Sequence, residues 1–143
     1  MANRPRTPPL NLAIQAAYLK KHFPQSRADV QRSCLLWRAV LQPTELSRPY
    51  EVSMSYALHS RPRVRVLSPP LELPPRSSEV HVYLDGTLCL YFPGEWTRSR
   101  PLVETVVPWI CEWLVHYEAW QVTGTWHGGG VHLVNKALMP DVA

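Results

Sequence analysis

Cys89 is the residue best placed to do covalent chemistry. It follows an Asp85-Gly86 turn and precedes a Pro93-Gly94 break. A cysteine beside a turn at the rim of a sheet is expected to be partly exposed, and its thiolate can then hold a macromolecular acyl group as a thioester. Set between Leu88 and Leu90, the same residue also suits core packing, because free cysteines are among the most buried residue types. Cys34, in an expected strand, and Cys111, beside the core face of an expected helix, read as structural. Three widely spaced cysteines make neither an even-numbered disulfide framework nor a pair of close zinc ligands. His127 and His132 flank three glycines and, with Cys89 or His81, give half of a zinc pattern and lack the close cysteine pair. No metal and no cofactor is therefore expected. There is no Gly-rich phosphate loop, no paired-carboxylate pattern and no Ser-His-Asp signature. Without a nucleotide site the chain cannot activate a carboxylate with ATP. It must receive an activated acyl group or draw on energy stored in its partner by another enzyme.

The elements that must position these residues fit one domain. The chain has 143 residues, 45% hydrophobic and 18% charged, with six tryptophans, enough to bury a core. Fifteen prolines against six glycines exclude a long helical bundle. Residues 1–9 read as a flexible Pro/Arg-rich arm and 10–143 as the domain. No apolar run reaches the ~20 residues of a membrane span, and no signal-peptide core follows the start, so the expected location is the cytoplasm. The net charge of +4 permits a nucleic-acid partner. The arginines, however, fall in Pro-rich segments without interleaved aromatics, and direct nucleic-acid binding is not expected.

Along the chain, Leu12, Ala16, Leu19 and Phe23 form one stripe of a helix over Leu10 to Phe23, stopped by Pro24. Ser33 to Gln42 reads as a first strand. Tyr50 to His59 and Arg63 to Leu67 alternate as half-buried strands, giving a three-stranded antiparallel meander. Arg61, Arg63 and Arg65 read as its solvated face. Ser68 to Arg76 holds four prolines and is expected to be a surface crossover. Val103, Val106, Val107, Ile110, Trp113, Leu114 and Tyr117 recur at helical spacing, predicting a long helix over Pro101 to Trp120 that Pro108 must kink or restart. The tail after Gly124 reads as loop, with Trp126 as a core anchor. The expected class is α+β.

The thiol segment resembles the active-site stretch of ubiquitin-conjugating enzymes. Tyr83, Asp85, Gly86, Leu88, Cys89 and Leu90 fall in that family's register, and Trp96-Thr97 stands where it has a Trp followed by Ser or Thr. Trp37, Pro49-Tyr50 and Pro62-x-Val64 are similar to its meander. The likeness covers roughly residues 10–120 and implies the conjugating-enzyme fold: N-terminal helix, antiparallel meander, crossover carrying the active-site cysteine, long C-terminal helix. A narrower likeness runs through Pro93-Gly94-Glu95-Trp96, Pro108-Trp109, Glu112-Trp113-Leu114, Tyr117-Glu118 and Thr123-Gly124-x-Trp126-x-Gly128-Gly129-Gly130-x-His132. These residues resemble the stand-alone conjugating-enzyme family of type II CBASS, the cyclic-oligonucleotide-based antiphage signalling systems.

The resemblance implies that Cys89 carries the C-terminus of a cGAS-like nucleotidyltransferase (CD-NTase) as a thioester to target amines, with a separate activating enzyme as a further candidate partner. Two alternatives share the outline: a non-catalytic docking partner of the nucleotidyltransferase, and a conjugating enzyme for a dedicated bacterial ubiquitin-like protein. The family's His-Pro-Asn triplet is altered, with Val80 at the Pro position and His81 at the Asn. An imidazole there can donate one hydrogen bond to an oxyanion or lower the thiol pKa, or it can be a strand histidine satisfied by a backbone carbonyl. Asp85 either polarises an incoming lysine or shapes the turn, since Asp-Gly is a common hairpin dipeptide. Val131 stands where the bacterial relatives have an acidic residue, and the Trp-Gly-Gly-Gly-His pattern implies a tail packed near the thiol or the partner.

Overall fold

A computed structural model describes residues 8–128. Most of the expected arm, together with Val131 and His132, lies outside the described residues. Helix α1 spans Leu12–His22. Asn11 caps it, its side-chain oxygen accepting from the Ile14 N–H at 2.8 Å, and Lys20, Lys21 and His22 place cations at the negative end of the dipole. Leu12 and Leu19 are buried as the stripe requires, and so is Gln15. Gln15 donates to the Arg100 carbonyl (3.2 Å) and accepts from the Leu102 N–H (2.9 Å), so it bonds α1 to the segment that starts the second helix.

The sheet has four antiparallel strands in sequence order: β1 Arg27–Gln31, β2 Cys34–Leu41, β3 Tyr50–Ala57 and β4 Arg63–Ser68. The expected three-stranded meander corresponds to β2–β4, so the expectation is corrected by one edge strand. β1 is short, polar and mostly exposed. It turns into β2 through Arg32 and Ser33, both at positive φ (51° and 62°), a conformation that hairpin turns usually give to Asn-Gly. On β2 and β3, Leu35, Trp37, Ala39 and Leu41 face Tyr56, Met54, Val52 and Tyr50 across the register, and all eight are buried. This one-sided apolar face is the core against which both helices pack.

After β4 the Pro-rich stretch crosses over to a 3-10 turn at Ser77–Val80, its path tied down where the Glu72 N–H donates to the Tyr117 hydroxyl at 2.8 Å. The expected long helix is divided. A 3-10 turn covers Leu102–Glu104, and helix α2 runs over Val106–Thr123. Pro108 sits in the first turn of α2, where its missing N–H costs no helical bond, so it marks a second start and no kink is needed. Val106, Val107, Ile110, Trp113, Leu114 and Tyr117 are buried. Gly124, at φ 73°, ends the helix, its N–H donating to the Trp120 carbonyl at 2.7 Å.

Candidate active site around Cys89

The thiol loop hangs on the edge of the sheet. The Leu88 N–H donates to the Val64 carbonyl of β4, and the Cys89 N–H to the His81 carbonyl at 2.8 Å. Between them Val82 and Leu88 form an isolated antiparallel bridge. Tyr83 and Thr87 close the turn, with Gly86 at φ 88° in the left-handed region. A Cβ on Gly86 would lie 2.8 Å from an Arg65 guanidinium nitrogen, the movable end of a flexible side chain, so it is the positive φ that calls for glycine there.

His81 follows the 3-10 turn at φ 58°, ψ 46°. It is therefore a left-handed cap and not a strand residue. Asn, Asp and His are the residues enriched in this conformation, which explains how a histidine stands where the resemblance has an asparagine. Its position is fixed from below by Trp113, whose indole N–H donates to the Val80 carbonyl at 2.9 Å. The Asp85 carboxylate accepts from the Thr87 N–H (2.8 Å) and hydroxyl (2.6 Å) and faces Arg63 at 3.8 Å. These contacts are those of a turn-forming aspartate.

Cys89 is only 4% exposed, which corrects the expectation of a partly exposed thiol. Its S–H lies 3.2 Å from the Tyr83 hydroxyl oxygen; once the sulfur is ionised the hydroxyl can reverse and donate to it. With His81, Glu112, His116 and Trp126, the cysteine lines a cavity of about 80 Å³. Trp126 explains the burial. Its ring sits 5.1 Å from His81, 5.7 Å from Trp113 and 5.9 Å from His116, closing the cavity from the C-terminal side of α2. Its buried indole N–H has no partner among the described residues. The expectation that the tail packs near the thiol holds for Trp126.

Sequence reasoning missed several contributors. Tyr83 entered only as a register marker, yet its hydroxyl touches the sulfur. Arg61, Arg63 and Arg65, expected to form a solvated face, all hold the thiol loop. The Arg61 guanidinium lies 4.5 Å over the Tyr83 ring, Arg63 faces Asp85, and Arg65 donates to the Asp85 carbonyl. Their alternate spacing, Arg61 just before the edge strand and Arg63 and Arg65 on it, was the available signal. Glu112 and His116 lie one helical turn apart on α2 with Oε1 and Nε2 3.7 Å apart; Glu112 entered only as part of the narrower likeness, and His116 gave no signal beyond that spacing. Tyr83 also lines a larger cavity of about 560 Å³, walled by Leu58, Arg61, Leu90, Tyr91, Trp96 and Arg98. Tyr91 stays a neutral phenol: burial pushes its pKa up to about 12, the nearby Cys89 sulfur adds to this, and Arg61 opposes it. Burial also raises the Cys111 thiol pKa, as suits an inert cysteine.

Among the described residues, no group of three or more His, Cys, Asp or Glu is arranged to hold a metal ion, and no helix is long and apolar enough to cross a membrane. No curated protein matches the chain. A family model described as type II CBASS E2 protein matches residues 15–133, most of the chain and all of the thiol loop. The chain belongs to the type II CBASS E2 protein family.

Proposed function

We propose that this protein is a cysteine acyltransferase acting in the cytoplasm in type II CBASS antiphage defence. Cys89 accepts the C-terminal carboxyl group of the system's CD-NTase as a thioester and passes it to an amine on a target. The reading rests above all on the contact between the Cys89 sulfur and the Tyr83 hydroxyl, at the wall of a cavity that also holds two histidines and a glutamate. A thiolate needs a nearby donor to be populated, and the tetrahedral intermediate of acyl exchange needs a donor at its oxyanion; each such donor is worth roughly 10²–10³ in rate. Tyr83 serves the sulfur, and the His81 imidazole is assigned to the oxyanion. Asp85 shapes the turn. The activated carboxyl group comes from a separate activating enzyme or from the partner, since the chain has no nucleotide loop.

One observation favours a second reading. At 4% exposure Cys89 is inaccessible while Trp126 is in place, and a non-catalytic docking partner of the CD-NTase would have the same closed thiol. Substitution separates the two. With the CD-NTase present, the transferase yields an adduct that reducing agent cleaves, absent in Cys89→Ala, and a stable amide adduct in Cys89→Lys. A docking partner binds the CD-NTase with no adduct, and Cys89→Ala then protects cells from phage as well as wild type does.

A further inference from the structure

Transfer of an acyl group from sulfur to an amine requires a base, because a lysine side chain arrives as an ammonium and attacks only as the free amine. Asp85 is poorly suited, since its carboxylate is engaged by Thr87 and faces Arg63. The titratable groups lining the thiol cavity are Cys89 itself, His81 from the cap of the 3-10 turn, and Glu112 and His116 from α2. His81 is nearly buried, its ring lies against Trp126, and its backbone carbonyl holds the Cys89 N–H. His116 differs in two respects. Its side chain is 28% exposed, giving a route by which a proton can leave to solvent, and its Nε2 is 3.7 Å from the Glu112 carboxylate. A carboxylate beside one ring nitrogen orients the imidazole and stabilises the imidazolium that forms when the other nitrogen takes a proton.

We infer that His116, oriented by Glu112, is the general base that deprotonates the amine attacking the Cys89 thioester. The inference rests on the thioester reading given above. In the step, the amine nitrogen bonds to the thioester carbonyl carbon and its proton passes to Nδ1 of His116, the nitrogen turned away from Glu112. The carbon–sulfur bond breaks, and Cys89 leaves as a thiolate. The product is an amide, and the imidazolium returns its proton to solvent. The helix thus supplies chemistry at the thiol through a pair of residues one turn apart.

The test separates loading from discharge. A short peptide α-thioester of a small thiol loads Cys89 by thiol–thioester exchange, which needs no activating enzyme. Discharge onto free lysine is then followed in a single turnover between roughly pH 5 and 9, spanning the titration range of histidine. His116→Gln is expected to load like wild type, to discharge ~10²-fold more slowly and to lose any inflection that wild-type discharge shows over this range. Added imidazole partly restores discharge to His116→Ala, which a merely structural role would not allow. The inference is overturned if His116→Gln discharges at the wild-type rate, or if His81→Gln is the variant that loses the inflection. If wild type never loads, the thioester reading falls and takes the inference with it; if wild type loads and discharges but is indifferent to His116, only the inference falls.

Discussion

Removing the Trp126 ring should expose Cys89, and the size of the effect follows from what holds the ring down. Trp126 contacts three rings, His81, Trp113 and His116, at 5.1 to 5.9 Å. Ring pairs of this kind contribute roughly 0.5–1.5 kcal/mol each. The buried Trp126 indole N–H has no partner among the described residues. The three pairs together hold the ring by roughly 1.5–4.5 kcal/mol, so the closed arrangement outweighs an open one by at least about ten to one, 1.4 kcal/mol being a factor of ten. Trp126→Ala should therefore accelerate iodoacetamide modification of Cys89 at least about tenfold, read peptide by peptide by mass spectrometry. Cys111, a free cysteine on α2 that does not line the thiol cavity, is the internal reference, and its rate should not move. If Cys89 and Cys111 accelerate together, the variant is reacting through unfolding. If neither moves, Trp126 is not what closes the thiol, and the explanation of its burial is wrong.

Three further outcomes follow from single contacts. Tyr83→Phe removes the hydroxyl 3.2 Å from the sulfur, and in the Trp126→Ala background it should slow thiolate-dependent alkylation of Cys89 about tenfold near neutral pH, with the rates converging at high pH. Gly86→Ala puts a side chain onto φ 88°, and should lower stability in denaturant titration by about 1–3 kcal/mol with the slope unchanged. Tyr91 has its pKa raised from 10.0 to about 12. The unfolded chain therefore releases this proton first, and stability is full below pH 10 and lost as pH rises from 10 toward 12, by up to about 1.4 kcal/mol per pH unit. Tyr91→Phe should flatten that part of the stability–pH curve relative to wild type.

Elements whose residues repeat with a regular period were legible. The stripe Leu12, Ala16, Leu19 and Phe23, the alternation from Tyr50 to Leu58, and the run from Val103 to Tyr117 each mark a face that must be covered; most of these residues are buried, and Ala16, Phe23, Leu58 and Val103 are partly buried against the same core. β1 carried no such period, because an edge strand exposed on both faces has no buried set to alternate. Its turn, Arg32-Ser33, lacked the Asn-Gly chemistry that would have announced it. Gln15 reads as a surface residue in a helical pattern, and only the distant Arg100 and Leu102 backbone groups make its burial affordable. The candidate site was half legible. Asp85, Gly86 and Cys89 are local in the chain, and the turn they imply is present. The exposure of Cys89 was misjudged because the ring that covers it comes from beyond the end of α2. The contacts of Arg61, Arg63 and Arg65 to the thiol loop, and the position of His116 and Glu112 on the cavity, depend on the packing of a loop and a helix against the sheet, which no local pattern reports.

The central claim is that Cys89 holds a foreign carboxyl end as a thioester. Intact-mass spectrometry of the wild-type protein recovered from cells making its CD-NTase, with the adducted residue located by fragmentation, tests it most directly. The account predicts a species one water lighter than the summed chains, joined at Cys89 and split by hydroxylamine. A complex that contains both proteins at their full separate masses, with Cys89 a free thiol under every condition that activates the defence, would contradict it.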